Sequence, residues 1–335
     1  MRSTRIVFIV CLLIAVVALP AAAQEGAETL TVYSGRSESL IAPILEQFSE
    51  DTGVQVEVRY GNTAEMAATI LEEGDNSPAD VYIAQDAGAL GALGDAGRLS
   101  ALPSDILERV ASPYQSSSGQ WVGLSGRARV LVYNPTLIAE DELPASLLDL
   151  TAPEWAGRVG WAPANASLQS HITALRLLLG EEQARAWLEG MVANNNPTFD
   201  NNNAIVQAVI DGEFPVGLVN HYYIFQFQQQ LPDAPVAIHF FEDGDVGNLI
   251  NIAGAGVVSS SDQPGLSQRL ILYLLGETAQ HYFAEQTGEY PLIEGVEPPG
   301  DVPPIDQIAT PDIDLSDLSD LQTSLDLLRD TGALP

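Results

Sequence analysis

Residues 30–60 read LTVYSGRSESLIAPILEQFSEDTGVQVEVRY. The first six are rich in β-formers and alternate, which predicts a strand. Leu40, Ile41, Ile44, Leu45 and Phe48 then fall at helical spacing, with Ser37 placed to cap the start and Gly53 to stop the end. VQVEVRY returns to strand character. Further on, TAEMAATILEEG predicts a helix, ADVYIAQD (79–86) a strand and AGALGALGDAG a short helix. Strand and helix alternating in this way predict a mostly parallel sheet with helices on both faces, an α/β fold.

The alternation continues. Residues 121–134, WVGLSGRARVLVYN, form a long β-rich run. RVGWAP, PVGLVN, VAIHFFEDG (236–244) and GNLINIAGAGVVSS predict strands; SLQSHITALRLLLG, EEQARAWLEGMVAN and NAIVQAVIDGE predict helices. GLSQRLILYLLGETAQHYFAEQ reads as one amphipathic helix. Residues 293–313 are Pro-rich and irregular, and a closing helix sets Leu315, Leu318, Leu325 and Leu328 on one face. Two α/β halves imply a cleft between them, where ligands meet the C-terminal ends of strands and the starts of helices. Four polar turn clusters follow predicted strands: SGRSES, QDAG, APANAS and NHYY.

Composition narrows the function. Arg2 and Arg5 precede an apolar run from Ile6 to Leu19, and Ala21-Ala22-Ala23 offers a small-residue cleavage pattern. Residues 1–23 therefore read as a signal peptide, and the apolar run is short for a membrane span. The single Cys11 lies inside it, so a disulfide framework and a thiolate site are excluded from the rest. The net charge is -32, and all basic residues are Arg. Such a surface repels nucleic acid and anionic lipid; solubility at high salt is the simpler account of it. Without Lys there is no phosphate loop of the G-x-x-x-x-G-K type. GLSGR lacks the spacing of a serine nucleophile elbow, and the four His are scattered, so no catalytic constellation emerges.

One pair of residues stands apart, although without its flanks core or interface packing is the simpler account of it. In VNHYYIFQF (219–227) two phenols stand side by side at Tyr222 and Tyr223. In a strand they would point to opposite faces. They can share one small object only at a helix start or an irregular turn.

Taken in order, LTVYSGRSE, SPADVYIAQDAG, LSGRARVLVYN, NAIVQAVIDGE, VNHYYIF and GEYPL resemble the periplasmic ferric-iron-binding proteins of bacterial ABC importers, over roughly residues 28–335. The resemblance implies a periplasmic-binding-protein fold of two α/β lobes around a central cleft, joined by crossover strands at 127–134 and 236–243. The lobes would be 24–127 with about 242–300, and 128–241, with 301–335 as a helical segment packing on both. It implies Fe(III) held by Tyr222 and Tyr223, a small synergistic anion such as carbonate, an ABC permease as partner, an extracytoplasmic location and a monomer. Fe(III) prefers anionic oxygen, and a phenol gives up its proton when such a cation replaces it. Where many members of the family place a His and a Glu, this chain has Ser37 and Gln85, the latter followed by Asp86. The resemblance therefore gives Gln85 and Asp86 as further metal-side residues. It gives Arg36, Ser37, Asn165, Ala166, Ser167, Asn202 and Asn220 as the anion pocket. Arg36 is expected to hold the anion bidentately. Of Arg127 and Arg129, one is expected to face the cleft or an interdomain carboxylate. His221 is expected to be structural, and His171, His239 and His281 to pack. The alternative is a binding protein of the same fold for a polyamine.

Overall fold

The computed structural model describes residues 28–300 and 302–335, so the expected leader at 1–23 lies outside the described residues. The opening stretch folds as read: strand β1 (Thr29–Ser34), helix α1 (Glu38–Thr52) ending on left-handed Gly53, and strand β2 (Gln55–Tyr60). Helix α2 (Thr63–Glu73), strand β3 (Val81–Ala84) and helices α3 (Ala87–Asp95) and α4 (Ser104–Leu107) follow. Strand β4 (Val122–Tyr133) is buried along all twelve residues. The second half holds strand β5 (Val159–Gly160), helices α5 (Ala166–Leu179), α6 (Glu181–Ala193) and α7 (Asn202–Ile210), strand β6 (Val216–Asn220) and helix α8 (Tyr222–Gln230). The chain then returns through strands β7 (Ala237–His239) and β8 (Ile250–Val257) to helices α9 (Pro264–Leu274) and α10 (Glu277–Tyr282). It closes with strand β9 (Tyr290–Pro291) and helix α11 (Leu321–Asp330).

The strand order is β2-β1-β3-β8-β4-β6-β5. β1, β2 and β3 run parallel, as do β5 and β6, while β8 and β4 run antiparallel to their neighbours. β4 is the seam between two lobes. Its first half pairs with β8 as far as Ala128, and from Arg129 onward it pairs with β6 and β7. The second crossover is less regular than the sequence suggests: β7 spans only Ala237–His239, and a 3-10 turn (Val246–Asn248) precedes β8. One apolar core gathers residues such as Leu30, Ile41, Phe48, Tyr82 and Trp121; another gathers Leu131, Trp161, Leu175, Trp187 and Leu218.

Two predicted helices are broken. The long amphipathic helix stops at Leu274 and restarts at Glu277, because Gly276 adopts extended angles (φ -85°, ψ 160°) at the new start. The closing helix is split at Asp320, whose side chain accepts from Thr323 N–H and caps α11. Its leucines therefore do not share one face. Leu315 and Leu318, in a 3-10 turn (Leu315–Ser319), enter the first core; Leu327 and Leu328 enter the second. Asp320 is held on α5 by Arg176 at 3.0 Å. This segment is thus a strap across both lobes.

The strap explains the glycines of AGALGALGD. Gly88 lies in the first turn of α3 and Gly91 in its middle, where glycine is ordinarily unfavourable. A Cβ on Gly88 would lie 2.5 Å from the Leu318 carbonyl oxygen, and one on Gly91 would meet the Ser316 carbonyl. Gly91→Ala is expected to lower stability by about 1–3 kcal/mol through this overpacking. In an unobstructed helix the same change gains ~1 kcal/mol. Denaturant titration of the purified variant decides between the two signs.

Candidate functional site

The parallel strands all end on one side, and the four polar turn clusters meet there. The loop after β1 supplies Gly35 and Ser37, and the loop after β3 supplies Gln85 and Asp86. The start of α5 supplies Asn165, Ala166 and Ser167, and the end of β6 supplies Asn220, Tyr222 and Tyr223. They enclose a cleft of about 330 Å³ between the lobes. Arg127 and Asn251 line it from β4 and β8.

The tyrosine pair owes its geometry to the junction of β6 and α8. Asn220 ends the strand opposite Arg129, His221 turns the chain with helical angles (φ -56°, ψ -39°), and the two tyrosines are the first residues of α8. Their rings lie 4.3 Å apart at 32°. Burial, and next the Tyr223 phenol, raise the Tyr222 pKa well above that of a free phenol, while Arg127 pulls it down. The Tyr222 phenol is not ready to ionise by itself, so a cation that replaces the proton must supply the driving force.

Asp86 caps α3, accepting from Ala89 N–H at 3.4 Å. Burial raises its pKa, against the opposing charge of Arg127 and the helix N–H groups. The Gln85 side-chain oxygen is buried without a hydrogen-bond partner and lines the same cleft. On the other wall Asn165 caps its own helix: its Oδ1 accepts from Ser167 N–H (3.0 Å) and Ser167 Oγ (2.6 Å).

Two of the expected anion residues do not face the cleft. Arg36 is fully buried, and its guanidinium grips Glu289 through Nη2–Oε2 at 2.6 Å and Nη1–Oε1 at 3.3 Å. A side chain so paired has turned away from the cavity that its neighbours Gly35 and Ser37 line. Asn202 is likewise fully buried, one layer back, where its Nδ2 donates to Ser167 Oγ at 3.2 Å.

The cation that lines the cleft is instead Arg127, as expected of one of the pair, and Arg129 lies behind the wall against Ser167. Residues two apart on a strand share a face, and both guanidinium groups are buried. Arg127 donates to the Ile252 carbonyl (3.4 Å); Arg129 donates to Ser167 Oγ (3.2 Å) and the Leu218 carbonyl (3.0 Å). Among the described residues neither forms an ion pair with a carboxylate, and the Nε of each lacks a partner. Burial lowers the Arg129 pKa to about 10, with the two phenols opposing. Two buried, unpaired guanidinium groups in a chain of net charge -32 mark a place where an anion is welcome.

Three of the histidines behave structurally, whereas His281, expected to pack, is exposed on α10 with its Nδ1 3.2 Å from Glu285, because its side of that short helix faces solvent. His221 Nδ1 accepts from Ala128 N–H at 3.1 Å. His171 donates from Nε2 to the Val246 carbonyl at 2.7 Å, and burial, with help from Arg129, lowers its pKa to about 3. Unfolded, His171 takes up a proton near pH 6.5; folded, it does not until about pH 3. Stability is therefore lost as pH falls through that window, at up to ~1.4 kcal/mol per unit. His171→Gln is expected to keep about 2 kcal/mol more of its stability than the wild type between pH 6 and pH 4. Urea titrations at the two pH values measure it, and equal losses refute it.

Among the described residues no three His, Cys, Asp or Glu side chains gather to hold a metal ion. A metal in this cleft would depend on the phenols. The phenols present hard oxygen, Asp86 and Gln85 add oxygen on the facing wall, and the arginines favour an anion between.

Residues 76–313 match the family model described as bacterial extracellular solute-binding protein. The Fe(3+)-binding periplasmic protein of Serratia marcescens is 29% identical over 320 residues, covering 95% of this chain and 94% of that protein. Iron uptake protein A1 of Synechocystis sp. is 32% identical over 279 residues, 80% of this chain and 77% of its own. Among solved structures, iron-bound HitA from Pseudomonas aeruginosa superposes with a TM-score of 0.84 at 34% identity, covering 91% of this chain and 99% of that one.

Proposed function

The chain belongs to the bacterial extracellular solute-binding proteins, and from that premise we propose that its cleft captures Fe(III) through the phenolates of Tyr222 and Tyr223, together with a small anion. The observation that carries this reading is the pair of phenols packed side by side on one cavity wall. Relatives named for ferric-iron binding, similar over nearly the whole chain, support it. As the ion enters, each phenol loses its proton. Two phenolates then leave one positive charge on the metal, beside Arg127 in the wall and with Arg129 behind it. Asp86 can offset one of these charges, and Gln85 can add a neutral oxygen. The remaining excess calls for an anion, which Arg127, Asn220, Ser37 and the α5 start at Asn165–Ser167 surround. The two arginines also speak against a polyamine, whose ammonium groups they would repel.

On the same reading the protein works outside the cytoplasm as a monomer after removal of residues 1–23, and hands its iron to an ABC permease. The lobes are 24–127 with about 242–300, and 128–241. The test is a visible spectrum and metal analysis of the purified protein with and without Fe(III) and bicarbonate. One iron per chain with a tyrosinate band is expected; a colourless protein that retains no iron refutes the reading.

A further inference from the structure

Behind the tyrosine pair runs a series of buried groups that the cleft does not reach. It begins at the ion pair of Arg36 and Glu289, both essentially inaccessible to solvent. Ser125 Oγ (3.1 Å) and Thr287 Oγ1 (2.9 Å) also donate to Glu289. Tyr290 follows directly, fully buried, with its backbone paired to Gly126 of β4. The Tyr290 ring lies 4.5 Å from the His221 ring at 33°. His221 is tied to Ala128 twice, by its own N–H and through Nδ1. The edge of its ring meets Tyr222 at 6.0 Å and 87°, and Tyr222 lies against Tyr223.

A buried ion pair contributes little net stability, because desolvation of both charges offsets their attraction. A two-pronged guanidinium–carboxylate contact does fix position and angle together. Here it fixes the segment under α8. Gly288, at φ 72°, brings that segment so close that a Cβ would stand 2.5 Å from Phe225 Cδ1. The other end of the contact is Arg36, between two residues that line the opposite cleft wall.

We infer that Arg36 and Glu289 are positioning residues: through Tyr290 and His221 they set where the hydroxyls of Tyr222 and Tyr223 stand relative to the 35–37 wall. The inference rests on the Fe(III) reading of the cleft. Neither residue touches the ion. Mere internal support would alter stability and leave the colour of the complex unchanged; positioning alters the colour and the hold on the ion.

The test compares Arg36→Met/Glu289→Leu, which replaces the pair by apolar side chains, with Arg36→Lys and Tyr290→Leu. Each is loaded with Fe(III) and bicarbonate, its tyrosinate band is recorded, and iron release to a competing chelator is timed. The double variant is expected to melt near the wild-type temperature without iron, to shift the band, and to release iron at least tenfold faster. Arg36→Lys, which keeps the charge but not the fork, is expected to fall between. Tyr290→Leu leaves the ion pair intact and breaks the ring series, so it is expected to resemble the double variant and decides the matter should that one not fold. A wild-type protein without the band overturns the Fe(III) reading. A wild-type band that Tyr290→Leu and the folded double variant both keep, at the wild-type release rate, overturns this inference alone.

Discussion

A protein with Tyr222 and Tyr223 both changed to phenylalanine is expected to fold and to retain no Fe(III) after desalting, with no visible band. Each change removes one oxygen and leaves the ring, so the stacking at 4.3 Å and the packing of α8 persist. The cost to the fold is about 1 kcal/mol per hydroxyl at most, the usual net worth of a hydrogen bond. The cost to binding is far larger, because no cluster of three His, Cys, Asp or Glu among the described residues can take over. Each single variant keeps one phenolate and is expected to bind weakly with an altered band. A double variant that binds one iron with the wild-type spectrum would mean that the phenols are packing groups and the ion sits elsewhere.

The second large effect concerns the anion and separates two arginines by what they disturb. Arg127→Ala is expected to weaken the bicarbonate-dependent part of iron affinity roughly 10- to 150-fold, which is the 1.5–3 kcal/mol of a charge-assisted hydrogen bond. Its folded stability should change little, since the guanidinium makes only a long contact to the Ile252 carbonyl. Arg36→Ala is expected to keep the bicarbonate dependence, even as its overall hold on iron weakens, and to lose stability instead. It leaves Glu289 charged and buried without its partner, a loss of about 3–5 kcal/mol in folding. Titrating iron into both variants with and without bicarbonate, alongside urea unfolding, reads both quantities. Equal bicarbonate dependence in wild type and Arg127→Ala would show that the anion is held without Arg127, by Ser37, Asn165–Ser167 and Asn220.

Much of this was legible in the sequence, because period and punctuation are local. The strand over 30–35 and the helix closed by Gly53 lie within a residue or two of β1 and α1. The tyrosine pair was legible for the same reason: adjacent phenols directly after a strand can converge only at a turn into a helix. The leucine spacing at 315–328 misled, since periodicity records which residues are apolar and not which core receives them. Arg36 misled more instructively. An arginine flanked by cleft residues looks like a ligand residue, and only the distant Glu289 shows that it is spoken for. That pairing spans 253 positions, beyond any local pattern. Arg127 and Arg129 could not be separated from sequence because residues two apart on a strand share a face; both are buried, and only Arg127 lines the cleft.

The strap has a consequence for how the molecule assembles. Leu315 and Leu318 complete one core, and Leu327 and Leu328 the other. Neither lobe can therefore finish folding on its own stretch of chain; both wait for the same short segment, supplied late. The two lobes should melt in one cooperative transition, although they are separate in architecture. A single proteolytic cut in the Pro-rich approach to residue 315 should loosen both at once. A nascent chain that has made every strand of both sheets still exposes two unfilled apolar seats until those four leucines arrive.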